Sequence, residues 1–322
     1  MTDYLHGEAL WQNVQTVSKS ALASGALKSI PTACEVRDIA TGGKEIVKFQ
    51  IRVVENLIRK SKEVQDRAQQ LPNLKNTDQK PFNPFLPYEP DLYVGELTNH
   101  YRCLLNKFNV MDHHILMVTN KFVPQQTPLD VEDFLAALIC LQAHDGLVFY
   151  NGGTEAGASV EHKHLQMIPL SMNNPPTGEN TLPFPFYNVL ATTLQNKKDN
   201  ELTVSALPFK HRIVTTAFPT EFPNTASLEN LRTYAEINCN NYHRMLKELS
   251  LPIDNSGMMS PHNLLITRDF LWVIPRHCES HQGLAVNALG FAGTLLVKNT
   301  EHLNVLDSIG CLSLLSAVAL PR

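Results

Sequence analysis

The sequence lacks a Cys-x-x-Cys pair. Its six cysteines, at positions 34, 103, 140, 239, 278 and 311, are scattered. That argues against a zinc ribbon and against a disulfide framework. It also lacks an excess of positive charge: the formal net charge is −4, so no global basic field invites a nucleic acid. An anionic ligand has to be met by local lysines, arginines and backbone amides. A clean membrane-spanning run is missing too. The fairly apolar run 303–320 is interrupted by Asn304, Asp307 and Gly310 and reads as a buried terminal helix. The N-terminus shows no charged-then-apolar signal pattern. A cytoplasmic protein with no membrane partner is therefore expected. What is present is ordinary for a globular chain: 322 residues, 43% hydrophobic and 18% charged, enough for two modest domains or one large one.

The stretch 151–166 organises the rest. His162, His164 and Gln166 stand at i, i+2 and i+4. A short strand here, bounded by Pro169, puts these three side chains in a row on one face and Lys163, Leu165 and Met167 on the other. Ahead of the row lies a loop with Gly152, Gly153 and Gly157 and the small residues Ala158 and Ser159. Its backbone amides can turn inward and cradle a phosphate. Asn151 is placed to bond the phosphates or the loop itself, and Lys107 and Lys298 are candidate phosphate cations. His-x-His on a strand has three readings: a nucleophile, a metal pair, or two histidines satisfied in a core. Glutamine is a poor metal ligand and a good donor to a phosphate oxygen. With the glycine loop it turns the balance towards phosphoryl or nucleotidyl transfer, and no metal site is expected. Glu161 faces away from His162 and is not read as a base. His113 and His114 are adjacent, so on a strand they point to opposite faces and do not ligate jointly.

The row resembles the histidine-triad superfamily, and His-x-His-x-Gln resembles its transferase branch. His162-Lys163-His164-Leu165-Gln166 after Tyr150-Asn151-Gly152 is similar to the version in diadenosine tetraphosphate phosphorylases (ATP adenylyltransferases). So are Asn83-Pro84-Phe85, Leu105-Asn106-Lys107-Phe108-Asn109-Val110 and the segment 114–119. The resemblance implies phosphorolysis of a dinucleoside polyphosphate to ATP and ADP, reversibly, through an adenylyl-histidine. It implies that His164 is the nucleophile, that His162 orients the site, and that Gln166 replaces the third histidine of the hydrolases. Asn106 takes the position where the superfamily holds ribose hydroxyls, and 83–85 lies near the nucleotide. The implied partners are the dinucleotide, ATP, ADP and inorganic phosphate, with sulfate as a rival oxyanion. No cofactor is implied, and Mg²⁺ is expected only as an ion carried in with the polyphosphate. Two other readings stand beside this one. A hexose-1-phosphate nucleotidyltransferase shares the nucleophile but needs a sugar pocket. A nucleotide-binding sensor that has lost catalysis does not need to keep both histidines and Gln166.

Along the chain, period and turn chemistry predict helices over about 8–24 and 55–70, a break at Gly42-Gly43, and strands at 47–53, 92–97, 101–108 and 114–119. The region 72–90 reads as a loop. Thr127-Pro128 reads as a helix start, with Val131, Phe134, Leu135 and Leu138 as its buried stripe and Gly146 as its end. A strand at 147–150 leads into the glycine loop. After a polar, proline-rich break at 173–200 the order returns: a strand at 211–217, a helix capped by Ser227, then strands at 259–267 and 271–275 and another within 290–298. Strand, helix and strand pair thus occur twice. The expected fold is α+β and histidine-triad-like, two duplicated units of mainly antiparallel sheet with helices. The expected division is a catalytic unit with an N-terminal extension at 1–172, a linker loop at 173–204 and a degenerate unit at 205–322. Pro261-His262-Asn263 is expected where the histidine row stood in the first copy.

Overall fold

A computed structural model describes residues 4–41, 46–53, 82–170, 184–195, 203–219 and 226–322. The expected break at Gly42-Gly43, the helix over 55–70 and most of the 72–90 loop lie outside the described residues.

The first helix, α1 (Gly7–Ser24), buries Leu10, Val14 and Ala21, and Gly25 closes it in the left-handed conformation at φ 76°. Strands β1 (Ala33–Ala40) and β2 (Ile46–Val53) follow. The sequence reading has no counterpart for β1, whose residues are largely exposed. Next come β3 (Tyr93–Glu96), β4 (Tyr101–Leu105) and β5 (Ile115–Thr119). Helix α2 (Val131–Ala143) starts three residues later than Thr127-Pro128 predicts. Its cap is Asp130, whose carboxylate accepts the Glu132 and Asp133 amides while Asp133 reaches back to the Asp130 amide. A carboxylate at the positive end of a helix is a stronger acceptor than a hydroxyl. The helix is buried almost all round, and it ends at His144 rather than Gly146, which instead opens β6 (Gly146–Gly152).

The histidine-row strand is β7 (His164–Pro169). Part of the 173–204 segment, read as a loop, is helical: α3 (Tyr187–Gln195) buries Leu190 beside Phe49 and Phe186. Tertiary packing there overrides the breaker residues around it. The second half supplies β8 (Arg212–Thr215), α4 (Leu228–Glu248) with Ser227 as its cap, β9 (His262–Ile266) and β10 (Phe270–Pro275). A small hairpin, β11 (Ser280–His281) and β12 (Leu284–Ala285), precedes α5 (Ala288–Phe291) and β13 (Thr294–Val297). The apolar C-terminal run is two helices, α6 (Thr300–Ile309) and α7 (Cys311–Val318), divided at Gly310 with φ 81°. Among the described residues no helix is long and apolar enough to cross a membrane.

One eight-stranded sheet runs through both halves in the order β3-β4-β5-β7-β6-β9-β10-β8. From β5 onward the order is palindromic about the antiparallel β6–β9 pair. The first half uses β5, α2, β6 and β7, and the second uses β8, α4, β9 and β10. In each, the last strand inserts between the other two. This corrects one expectation. The counterpart of the histidine strand β7 is β10, not 261–266, and all six residues of β10 are buried with no histidine among them. Helices α1, α2 and α4 cover one face through Leu10, Phe134, Leu138, Tyr242 and Met245. The other face packs Phe149, Leu265 and Trp272 against β2, α3 and α7, with a smaller cluster of Phe85, Leu104, Leu116 and Val118 beside it. The smaller sheet, β1-β2-β13, joins residues from both ends of the chain.

Candidate active site

Register settles which side chains share a face. On β7, His164 pairs with Val118 and Gln166 with Leu116 across β5, and Gln166 pairs with Phe149 across β6. All lie on the face opposite the three helices, while Leu165 and Met167 enter the helix-side core. The predicted alternation therefore holds. His162 lies just before β7, bridged to Pro124. The Phe85 ring packs edge-on against both imidazoles, at centroid distances of 5.6 Å to His162 and 5.3 Å to His164.

The hydrogen bonds assign the imidazole tautomers. Asn83 Oδ1 accepts the Phe85 amide at 2.9 Å, so its Nδ2 is the atom that donates to His162 Nδ1 at 3.0 Å. His162 then carries its proton on Nε2, which donates to the Thr119 carbonyl at 2.9 Å. Burial pulls the His162 pKa below its ordinary value, and the Thr119 carbonyl pulls the other way. The ring is thus held neutral near pH 7. His164 donates from Nδ1 to the His162 carbonyl at 2.8 Å. That bond leaves the lone pair on Nε2, the state a nucleophilic imidazole requires. On Gln166, His114 Nε2–H donates to Oε1 at 3.0 Å, and Asn106 Nδ2 donates to His114 Nδ1 at 3.2 Å. The Gln166 amide is thus turned with its carbonyl towards His114. Asn106, the expected ribose position, is engaged in this relay and accepts the Phe108 amide at 3.4 Å.

The glycine loop differs from the expected cradle. The Gly153 amide donates to the Asn151 carbonyl, Gly157 to Thr154, and Ala158 to Gly153, at 3.0, 2.8 and 3.0 Å. These three amides are used inside the loop, which is closed by a 3-10 turn over Thr154–Ala156. Among the described residues, the Asn151 side chain bonds neither the loop itself nor any group within it. Its Oδ1 accepts from Asn263 Nδ2 and from the Ala288 amide, both at 2.9 Å, tying the loop to the second half. Asn263 also donates to the Ala156 carbonyl at 2.8 Å and accepts from Arg276 at 2.6 Å. Arg276 is buried, and burial lowers its pKa to about 10. A cation thus lies behind the loop at neutral pH. Ser159 is exposed at the loop's exit.

Gly152 and Gly157 are needed for close packing. A Cβ on Gly152 would approach the His262 carbonyl oxygen at 2.9 Å. A Cβ on Gly157, at φ +89°, would meet Asn287 Cα at 2.9 Å and the Val286 carbonyl oxygen at 3.0 Å. Gly157→Val is therefore expected to lower the unfolding free energy by about 2–5 kcal/mol, from backbone strain and overpacking together. Urea unfolding checks this, and a variant as stable as the parent would show that the loop stands clear of 286–287.

Neither expected lysine reaches the row. Lys107 is held by Glu89 at 2.7 Å, and Lys298 is exposed beyond β13 in the smaller sheet. The cation the fold does align with the row is Arg102, which pairs with Val118 and so lies in line with His164. It donates to Asn120 Oδ1 at 2.8 Å, sits 3.7 Å from Glu96 and stacks over Tyr88 at 4.7 Å. Strand alternation contains this signal, but only with the register known. Among the described residues, no group of three or more His, Cys, Asp or Glu side chains is placed to hold a metal.

The chain is similar to known proteins over most of its length. The family profile described as Ap4A phosphorylase N-terminal domain matches residues 1–192, and the one described as ATP adenylyltransferase C-terminal domain matches 205–321. Diadenosine 5',5'''-P1,P4-tetraphosphate phosphorylase 2 of Saccharomyces cerevisiae is 31% identical over 249 residues, covering 71% of this chain and 73% of that protein. The crystal structure of yeast Ap4A phosphorylase Apa2 with AMP has the same fold, with TM-score 0.69, 23% identity and 99% of both chains covered. The same enzyme with Ap4A gives 0.67 at 22% identity, covering 98% of this chain and 99% of that one.

Proposed function

From the premise that this chain belongs to the family of Ap4A phosphorylases, or ATP adenylyltransferases, we infer that it cleaves diadenosine tetraphosphate with inorganic phosphate to ATP and ADP, reversibly. We further propose that His164 carries the adenylyl group. The observation behind this is the His164 Nδ1 bond to the His162 carbonyl, which leaves Nε2 basic. In the first step Nε2 attacks an α-phosphorus. The N–P bond forms, and the P–O bond to the departing chain breaks, its electron pair leaving on ATP. The cation that develops on the imidazole is stabilised by the same carbonyl. In the second step a phosphate oxygen attacks the same phosphorus, the N–P bond breaks, and ADP departs. Gln166, oriented by His114, donates to a nonbridging oxygen but has no proton to give as a general acid. That supports transfer to phosphate over hydrolysis.

Mg²⁺ belongs with the substrate, held by polyphosphate oxygens and water. The cytoplasm is the compartment we propose, supported by six cysteines in thiol form. The test of the activity is direct. Diadenosine tetraphosphate should be consumed far faster with phosphate than without, giving ATP and ADP. Equal rates with AMP among the products would make the protein a hydrolase. An arm with sulfate in place of phosphate separates the two oxyanions as acceptors.

A further inference from the structure

Strands β6 and β7 part company close to the nucleophile. Their ladder runs from Gly146↔Pro169 to Phe149↔Gln166 and stops. Continued, it would join Asn151 to His164. On its other edge β6 stays paired with β9 through Asn151↔Asn263 and Gly152↔His262. The sheet therefore forks, with His164 on one arm and the start of the glycine loop on the other.

A single side chain fills the fork. Gln125 Oε1 accepts the His164 amide at 2.8 Å. Gln125 Nε2 donates to the His164 carbonyl at 3.1 Å and to the Asn151 carbonyl at 2.9 Å. One amide thus satisfies both backbone groups of the histidine and one of the opposite arm. The residue is itself pinned. Its amide donates to the Glu161 carbonyl at 2.7 Å, and the Tyr150 hydroxyl donates to its carbonyl. Val123 accepts the Lys163 amide at 2.8 Å, so 123–125 runs beside 161–163 in the place β6 has vacated. Gln125 is 4% exposed, which leaves little access for water to replace it. Glutamine suits the position because the fork needs one acceptor and two donor directions in a planar group.

We propose that Gln125 is a positioning residue for the adenylyl transfer. It fixes the width of the fork, holding the His164 backbone against the Asn151 arm, and so the place from which the His164 ring meets the nucleotide. This rests on the reading of His164 as nucleophile. An error of about 1 Å at a reacting atom costs on the order of 100-fold in rate. The same three hydrogen bonds explain why the effect falls on the chemical step. They hold His164 and Asn151 backbone, whereas Ser159 and Arg102 are positioned elsewhere.

The experiment uses the full chain with Gln125→Glu and Gln125→Met. Single-turnover adenylylation is followed by mass spectrometry with phosphate withheld, normalised to nucleotide-binding stoichiometry so that misfolded protein does not count. The expected result is a rate roughly 100-fold below wild type for both variants. Dinucleotide affinity should stay within about threefold, and the adduct should still map to His164. Gln125→Glu should recover partially as pH falls, because a protonated carboxyl can donate to one carbonyl. Gln125→Met should show no such recovery, a contrast a purely structural role does not produce. Unchanged rates per binding-competent molecule would overturn the proposal. So would a rate loss matched by an equal loss of affinity. If the wild type forms no adduct, the covalent reading falls and this proposal with it, a failure visible before any variant is made.

Discussion

Replacing His164 by glycine is expected to abolish adenylylation and to lower phosphorolysis by about 10⁴-fold or more, the scale seen when a covalent nucleophile is removed. The size follows from the geometry. His164 is the residue whose proton is locked on Nδ1 by a backbone carbonyl at 2.8 Å. His162 has both ring nitrogens bonded within the protein, to Asn83 and Thr119. His162 cannot take over the attack without breaking a buried bond. Nucleotide affinity should change little in His164→Gly, since the substitution removes a single ring and leaves the rest of the row and its partners in place. His162→Ala should slow labelling without moving it, because its ring packs with Phe85 and Phe122 while its backbone carbonyl, which orients His164, survives the substitution. The trapped group should be labile in acid and more stable in base, as a phosphoramidate is. Two successive in-line displacements require overall retention at phosphorus. An adduct on His162, or inversion with a chiral thiophosphate substrate, would contradict the assignment.

The second large effect is on stability. Lys163 stands between the two histidines and points to the opposite face, where its ammonium lies 2.6 Å from Asp133 with the side chains 3% and 1% exposed. It also donates to the Pro128 carbonyl at 3.1 Å. Asp133 accepts the Tyr101 hydroxyl and the Asp130 amide. Burial pushes the Asp133 carboxyl up to about 6, and Lys163 opposes that shift. Lys163→Met leaves a buried carboxylate without its cation and is expected to cost about 3–5 kcal/mol. The sign of the pH dependence follows. A carboxyl whose folded pKa is raised binds its proton more tightly in the folded state, so its stabilisation is present at low pH and lost as pH rises through about 6. Removing Lys163 raises that pKa further. The deficit of the variant should then be largest above neutrality and shrink towards pH 5. Adding Asp133→Asn should recover most of the loss, because the charge is gone while Oδ1 still accepts the Asp130 amide and Nδ2 donates to the Tyr101 hydroxyl oxygen. Denaturant unfolding at two pH values reads all of this. A deficit under about 1 kcal/mol, or one indifferent to pH, would show that the pair carries little.

Much of the site was legible because it is local. His162, His164 and Gln166 share a face through the period-2 geometry of any strand, which covalent spacing dictates. The segment Asn83-Pro84-Phe85 was marked by resemblance, and the structure joins it to the row through Asn83 and Phe85. The glycines marked a place of tight backbone. What packs against them is not recorded locally, because φ at Gly157 and a short amide loop look the same whether the neighbour is a phosphate or Asn287. The partner of Lys107 is hidden for a similar reason: a lysine's reach is long, and the carboxylate that pairs with it, Glu89, is fixed only by the path of the chain.

Sequence alone therefore determined the elements that depend on spacing within a few residues: the alternation on β7, the helix over 8–24, the Ser227 cap and the order of strands and helices in each half. Tertiary structure decided what depends on register between strands distant in the chain. It brought Arg102 into line with His164 and turned Gln166 by way of His114. It made β10 the counterpart of β7 and opened the fork that Gln125 fills. Each of those is a hydrogen bond or contact across strands. A shift of one residue in pairing would send the same side chain to the other face, and nothing in the local pattern records which pairing the completed sheet adopts.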